Sequence, residues 1–159
     1  MKALIQRVGS ASVSIDGKVV GAIARGLVVL IGIVRDDGED EVKWIVDKTL
    51  NLRLFSDTEG KFQYSVLDVS GELLVISQFT LIANTRKGRR PSFIDAARPE
   101  HADPLFNLTL DQFRISGLKI ETGRFQAYMN VSLDNDGPVT VMIDSDDMNS
   151  PRSIYGILV

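Results

Sequence analysis

The chain has 159 residues, is 44% hydrophobic and 25% charged, and carries a formal net charge of −3. That size and apolar share suit one compact domain with a sizeable core, while the slight acidity excludes a wholesale polycation and confines any nucleic-acid contact to a local patch. The lack of cysteine and the single histidine, His101, exclude Cys-based zinc sites, thiol catalysis and disulfide staples, and leave little for a His-rich metal cage.

No long apolar segment with a cleavage site follows Met1, so no secretory signal is read. The longest apolar run, LVVLIGIV at 27–34, is too short to span a bilayer. The expectation is a soluble, cytoplasmic protein that makes no membrane contact.

In chain order, ALIQRV (3–8) and ASVSI (11–15) alternate apolar with polar residues and predict half-buried strands. DGK at 16–18 predicts a turn, and VVGAIA a returning strand. The unbroken apolarity of 27–34 predicts a central strand covered on both faces. RDDGED is a loop, after which the period changes: Val42, Ile45, Val46, Thr49 and Leu50 line one helical face from Glu39 onward. DTEG (57–60) breaks the chain, and ELLVISQF (72–79) predicts another buried strand.

Residues 84–98 form a basic, proline-containing loop. Asp103 followed by Pro104 predicts an N-cap and first helical position, with Leu105, Phe106, Thr109, Leu110 and Phe113 as the apolar stripe and Gly117 as the stop. KIETGRF, AYMNVSL and PVTVMI predict three closing strands, with DNDGP (134–138) as the turn between the last two. The organisation expected is one domain over residues 1–144 and a loose polar tail over 145–159.

Three stretches bear on chemistry. Arg86, Lys87, Arg89, Arg90 and Arg98 stand against Asp95 alone, a local charge of +4 on an acidic chain. Such a run is either a solvated loop or a phosphate site; its central glycine and its position after a strand end suit the second. No aromatic residue interleaves the cluster, so base stacking is not indicated.

SQFT (77–80) places two hydroxyls and an amide at a strand end, where they serve turn backbone as readily as chemistry. A Ser-His-Asp triad would need His101 as base. That residue is expected to be an exposed polar side chain before a helix, and no nucleophile-elbow glycine pattern is present. NDGPV (135–139) reads as a turn by composition, yet Gly-Pro between strands can hold a cis peptide that fixes two neighbouring carbonyls.

Taken together, IQRV, LLVISQFTL, TRKGRRPSF, ETGRF and VSLDNDGPVT occur in an order that resembles the D-aminoacyl-tRNA deacylases, from Met1 to about Ile143. The resemblance implies a fold of α+β class, a three-layer β/β/α sandwich with barrel-like mixed sheets and about two helices. It implies a homodimeric editing hydrolase that needs no cofactor or metal. Such an enzyme cleaves the ester between a D-amino acid, or a wrongly attached glycine, and the 3′ end of tRNA.

The resemblance places Ser77, Gln78, Phe79 and Thr80 in the active-site floor, with backbone N–H groups around Gln78 and Phe79 as oxyanion donors. It places Gly137 and Pro138, in a cis peptide, in the partner subunit's pocket as the chiral filter. Phe125 and Ala102 match positions near the terminal adenosine and the aminoacyl group. Arg86, Lys87, Arg89 and Arg90 are then expected on tRNA phosphates.

Where the family has a small residue after GRF, this chain has Gln126, followed by Ala127 and Tyr128, which is expected to reshape the pocket beside Phe125. A non-catalytic tRNA-binding module of the same fold is the competing expectation; it would need the basic loop but neither SQFT nor Gly-Pro.

Overall fold

The computed structural model describes residues 1–149. A strand β1 (Lys2–Ile15) pairs antiparallel along its first half with β3 (Gly26–Gly32) and along its second half with β2 (Lys18–Ile23). Its other edge pairs with β8 (Asn130–Asp144) over almost its whole length. β3 continues in parallel to β6 (Glu72–Ser77), and β6 in parallel to β7 (Ile120–Thr122). β4 (Phe55–Ser56) and β5 (Phe62–Tyr64) form a separate small hairpin. The two helices are α1 (Glu39–Asn51) and α2 (Pro99–Ile115), so the fold is α+β with a mixed sheet, as expected.

The two predicted strands 3–8 and 11–15 are one bent strand. The register with β8 shifts between Val8 and Ser10, so Gly9 is an extra residue that turns the strand. Before the bulge, Ala3 and Ile5 face the helices; after it, Ala11 and Val13 join Val8 on the opposite face. One long strand thereby contributes to two layers.

β3 uses both faces. Leu27, Val29 and Ile31 pack with Val42, Ile45, Phe106, Leu110 and Phe113 on the helical side. Val28 joins Ile23, Leu74 and Ile76 on the other. This two-sided burial is why the strand reads as an unbroken apolar run. The far layer curls until β2 nears β7: a Cβ at Gly21 would lie 2.9 Å from the Thr122 carbonyl oxygen, which leaves the sheet nearly barrel-shaped.

Helix α1 has the buried face predicted for it, Val42, Ile45, Val46, Thr49 and Leu50. Its start is fixed by the Gly38 N–H, which donates to Glu41 Oε2 at 2.8 Å. Helix α2 departs from expectation by one turn. It begins at Pro99, with the His101 and Ala102 N–H groups donating to the Arg98 carbonyl, and Pro104 lies inside it. Pro99 is the residue at the position where proline's missing N–H is harmless, while exposed Pro104 costs only one bond near the helix end.

The closing segment departs further. Only β7 and β8 form, and residues 134–138 are not a turn between strands: Asp134 and Asn135 pair with β1, and 136–138 lie in a bulge within β8. The tail expected to be loose begins as a 3-10 turn, Ser145–Asn149, whose Ser145 is buried: its N–H donates to the Met1 carbonyl at 2.8 Å and its Oγ accepts from the Met1 ammonium. Residues 150–159 of that predicted tail lie outside the described residues.

Candidate functional site

Parallel β3 and β6 end side by side, Ile31 opposite Ser77. The ladder runs one residue further, with the Gln78 N–H donating to the Ile31 carbonyl at 2.7 Å. The chain then turns into a short 3-10 helix, Phe79–Ile82, closed by the Leu81 N–H to Gln78 O and the Ala83 N–H to Thr80 O, both at 3.2 Å. Gly32 allows the turn to sit directly on the end of β3. A Cβ there would be 3.0 Å from Leu81 Cβ and Ile82 Cδ1 and 3.2 Å from the Gln78 carbonyl oxygen.

This arrangement takes one of the expected backbone donors out of use. The Gln78 amide is used by the sheet and is not free for an oxyanion. As the opening amides of a 3-10 turn, the N–H groups of Phe79 and Thr80 have no acceptor within it, and both residues are exposed. Gln78 Nε2 donates to Thr80 Oγ1, which fixes the hydroxyl over the turn.

Phe125 follows the end of β7. Val75 pairs with Thr122, the last residue of that strand, and the Thr122 hydroxyl donates to the Val75 carbonyl at 2.7 Å; the chain then leaves the sheet and Phe125 lies in a turn. The Phe125 ring is half-buried and tilts against Phe106 at a centroid distance of 6.2 Å. Ala102, one turn earlier on the same face of α2, is buried in the helical-side core. Gln126 is exposed with φ of 61°, and Tyr128 is 88% exposed.

The Gly137–Pro138 peptide is cis. It lies in the β8 bulge, where residues 136–139 stand opposite Arg7 between the pairs Val8–Asn135 and Gln6–Thr140. Asn135 closes the bulge: its Oδ1 accepts the Val139 N–H at 2.7 Å, and its Nδ2 donates to Thr140 Oγ1 at 3.1 Å. Gly137 has φ of +140°, a region an L side chain rarely adopts, and a Cβ there would lie 2.7 Å from Val139 Cγ2 and 3.1 Å from Arg7 Nη2. Gly137 and Pro138 are both exposed, while Val139 is buried beneath them.

Arg7 is a site residue the sequence reading did not single out. It is 8% exposed and donates through Nε to the Asp136 carbonyl at 2.9 Å and through Nη1 to the Leu54 carbonyl at 2.6 Å. The Asp136 carboxylate lies 3.2 Å from Nε, and the Phe62 ring centroid 5.6 Å from the guanidinium carbon. One signal was available: Arg7 continues the inward-facing positions Ala3 and Ile5 of an alternating strand, where a charge must be paired.

Arg86, Lys87, Arg89 and Arg90 sit on an exposed loop closed at its base by reciprocal backbone hydrogen bonds between Asn84 and Ser92, at 2.8 and 2.9 Å. Gly88, with φ of +74°, makes the tip. None of the four cations forms an ion pair among the described residues. Interleaved aromatics are absent from the loop sequence, yet tertiary structure brings exposed Phe79 edge-on to Phe93 at 5.0 Å beside it.

His101 is exposed, as expected, and its Nε2 donates to the Asp37 carbonyl at 2.9 Å rather than to a serine. Burial pushes the Asp37 carboxyl above its ordinary value, against the pull of the Met1 ammonium and the Val34 N–H. No cluster of three or more His, Asp or Glu suited to a metal ion occurs among the described residues. The arrangement offers fixed amide donors, an oriented hydroxyl and an aromatic wall, without a strong base.

A family model described as D-Tyr-tRNA(Tyr) deacylase matches residues 4–144. The chain is 53% identical over 148 residues to a D-aminoacyl-tRNA deacylase of Aquifex aeolicus, covering 93% of this chain and all of that one. It is 51% identical over 152 residues to a D-aminoacyl-tRNA deacylase of Dehalococcoides mccartyi, covering 96% and 99%. A solved structure titled c-Myc DNA Unwinding Element Binding Protein superposes with a TM-score of 0.86 at 44% identity, over 91% of this chain and 99% of that one. A probable eukaryotic D-amino acid tRNA deacylase shares the fold, with a TM-score of 0.80 at 16% identity over 89% and 97%.

Proposed function

The chain belongs to the D-Tyr-tRNA(Tyr) deacylase family, and from that premise we propose that it hydrolyses the ester of D-aminoacyl-tRNA, and of glycyl-tRNA, as a cytoplasmic homodimer. The observation that carries the reading is the pair of amides, Phe79 and Thr80, left without an acceptor in the turn at the end of β6. An aminoacyl ester is already activated, so the task is to stabilise the oxyanion formed when water attacks. One preorganised donor contributes about 3–4 kcal/mol, and two supply roughly 10⁴–10⁶-fold.

Attack by Thr80 itself is disfavoured, since no base stands beside its hydroxyl; its partner is the Gln78 amide. Thr80 instead positions water or substrate. The neighbouring 2′-hydroxyl of the terminal ribose supplies the proton-handling group that the protein lacks. Phe125 and Ala102 shape the wall against the terminal adenosine and aminoacyl group, and the four cations of the 86–90 loop take acceptor-end phosphates.

Handedness follows from the β8 bulge. Exposed Gly137 and Pro138 reach into a partner's pocket, where their carbonyls accept from the α-amino group and exclude an L side chain; glycine, lacking one, passes. Two features support a second copy here. β8 pairs on one edge only among the described strands, and Leu133 and Met142 on it are 37% and 49% exposed. The test is deacylation of matched D-, L- and glycyl-tRNA. Release from the D and glycyl forms with the L form spared is expected. Equal rates on D and L would remove the chiral filter, and no release from any would leave an RNA-binding module.

A further inference from the structure

Alongside the edge that carries Ser77–Thr80 lies a cleft of about 460 Å³, lined by Arg35, Ile94, Ala96, Arg98 and His101. It is made by the chain as it leaves the basic loop. Ala96 bridges to Val34, and the Ala97 N–H donates to the Ile33 carbonyl at 2.9 Å, so this segment runs beside the continuation of β3 before α2 starts. Phe93, immediately before Ile94 of the lining, meets Phe79 ring to ring, which ties this segment to the SQFT turn.

The lining has a definite chemistry. Two residues are arginines and none is a carboxylate. Asp95 stands outside the lining, its Oδ1 3.8 Å from Arg35 Nη2, and Arg35 is held by donation to the Ile94 carbonyl. Arg98 has no ion-pair partner among the described residues. A carbonyl only accepts, so the contact with Asp37 O puts the imidazole hydrogen on His101 Nε2 and leaves Nδ1 as an acceptor. Ile94, 71% exposed, supplies an apolar surface between these groups. Cations, one apolar platform and one acceptor suit a ligand with an anion, a flat ring and a donor, and the volume falls in the range of a small-molecule site.

We infer that this cleft is the subsite for the nucleotide preceding the terminal one in the single-stranded 3′ end of the substrate, its phosphodiester on Arg98 and Arg35 and its base on Ile94. The inference rests on the deacylase reading for the identity of the strand. It also accounts for a mismatch of scale: the SQFT edge handles one aminoacylated nucleoside, whereas the basic loop handles a phosphate chain, and this cleft joins them.

The test compares D-aminoacyl-tRNA with D-aminoacyl-adenosine, which ends at a single nucleoside. In Arg98→Ala and in Ile94→Glu, the ratio of kcat/KM on the first to that on the second is expected to fall about tenfold, through KM, and Arg98→Lys to recover most of it. The salt dependence of KM for the tRNA should lose roughly 0.7 from its log–log slope in Arg98→Ala. An unchanged ratio, or an equal fall on both substrates, overturns the subsite. If the unaltered protein hydrolyses neither, the deacylase reading fails by itself. Anisotropy with a 5′-labelled tetranucleotide RNA then decides the subsite: about tenfold weaker binding by Arg98→Ala retains it, and equal binding removes it.

Discussion

Arg7 holds a charge in a place where its strand neighbours Ala3 and Ile5 are wholly buried, and its hydrogen bonds to Leu54 O and Asp136 O are what make that tolerable. Removing it leaves two carbonyls without their donor beneath the β8 bulge. Arg7→Ala is therefore expected to cost on the order of 2–4 kcal/mol in denaturant unfolding. Arg7→Lys, a point charge that cannot donate in two fixed directions, should recover less than half. An unshifted midpoint for Arg7→Ala would show that the bulge stands without its tether. At Gly137 the argument is steric. A side chain there meets Val139 and Arg7 at 2.7–3.1 Å with φ of +140°, so Gly137→Val should displace the bulge. We expect a loss of D-aminoacyl-tRNA deacylation of roughly a hundredfold. Undiminished, still D-selective turnover by a folded variant would take the bulge out of the mechanism.

At the scale of elements, the 3-10 turn and helix α1 make opposite predictions. The turn is positioned by the closeness that Gly32 permits, and a methyl group there must push Leu81, Ile82 or the Gln78 carbonyl by several tenths of an ångström. Gly32→Ala should lower kcat/KM by about 10–100-fold while costing less than roughly 2 kcal/mol of stability, because preorganised donors depend more steeply on position than packing does. A stability loss without a rate loss would refute the assignment of the donors to this turn. In α1, Thr49 is fully buried and its hydroxyl has no hydrogen-bond partner among the described residues. Thr49→Val keeps the shape and removes the orphaned group, so a gain of about 1 kcal/mol is expected by thermal unfolding, with activity unchanged.

For the molecule as a whole, acid stability is set by carboxylates that hold separate elements together. Glu72 lies below its ordinary value of 4.5, chiefly because it accepts the Ala24 N–H, with Lys119 as a further partner. A depressed folded value means that its stabilisation is complete above pH 4.5 and is lost as pH falls through the folded value. Glu41, lowered by the Gly38 N–H, acts in the same sense. Asp37, raised by burial, acts oppositely, and its contribution falls as pH rises from 3.8 through the raised value. Glu72→Gln is expected to flatten the acid limb of stability below pH 4.5, read by denaturant unfolding between pH 3 and 6. An acid limb as steep as that of the unaltered protein would assign it to other groups.

Local pattern by itself determined the central strand, the buried face of α1 and the SQFT and basic segments, because periodicity and turn chemistry act within a few residues, while the α+β class came with the family resemblance. What it missed depends on pairing between distant parts. The Gly9 bulge turns two predicted strands into one and carries it between layers, and Pro99 displaces Pro104 as the helix opener. The NDGP segment is a bulge rather than a turn because β1 pairs with β8 on both sides of it. The Gln78 amide is consumed by Ile31, forty-seven positions away, and the Phe79–Phe93 pair and the Arg7 tether likewise join residues far apart in sequence. Which residue types stand in these segments was legible; which of their donors remain free was decided only when the sheet had taken its share.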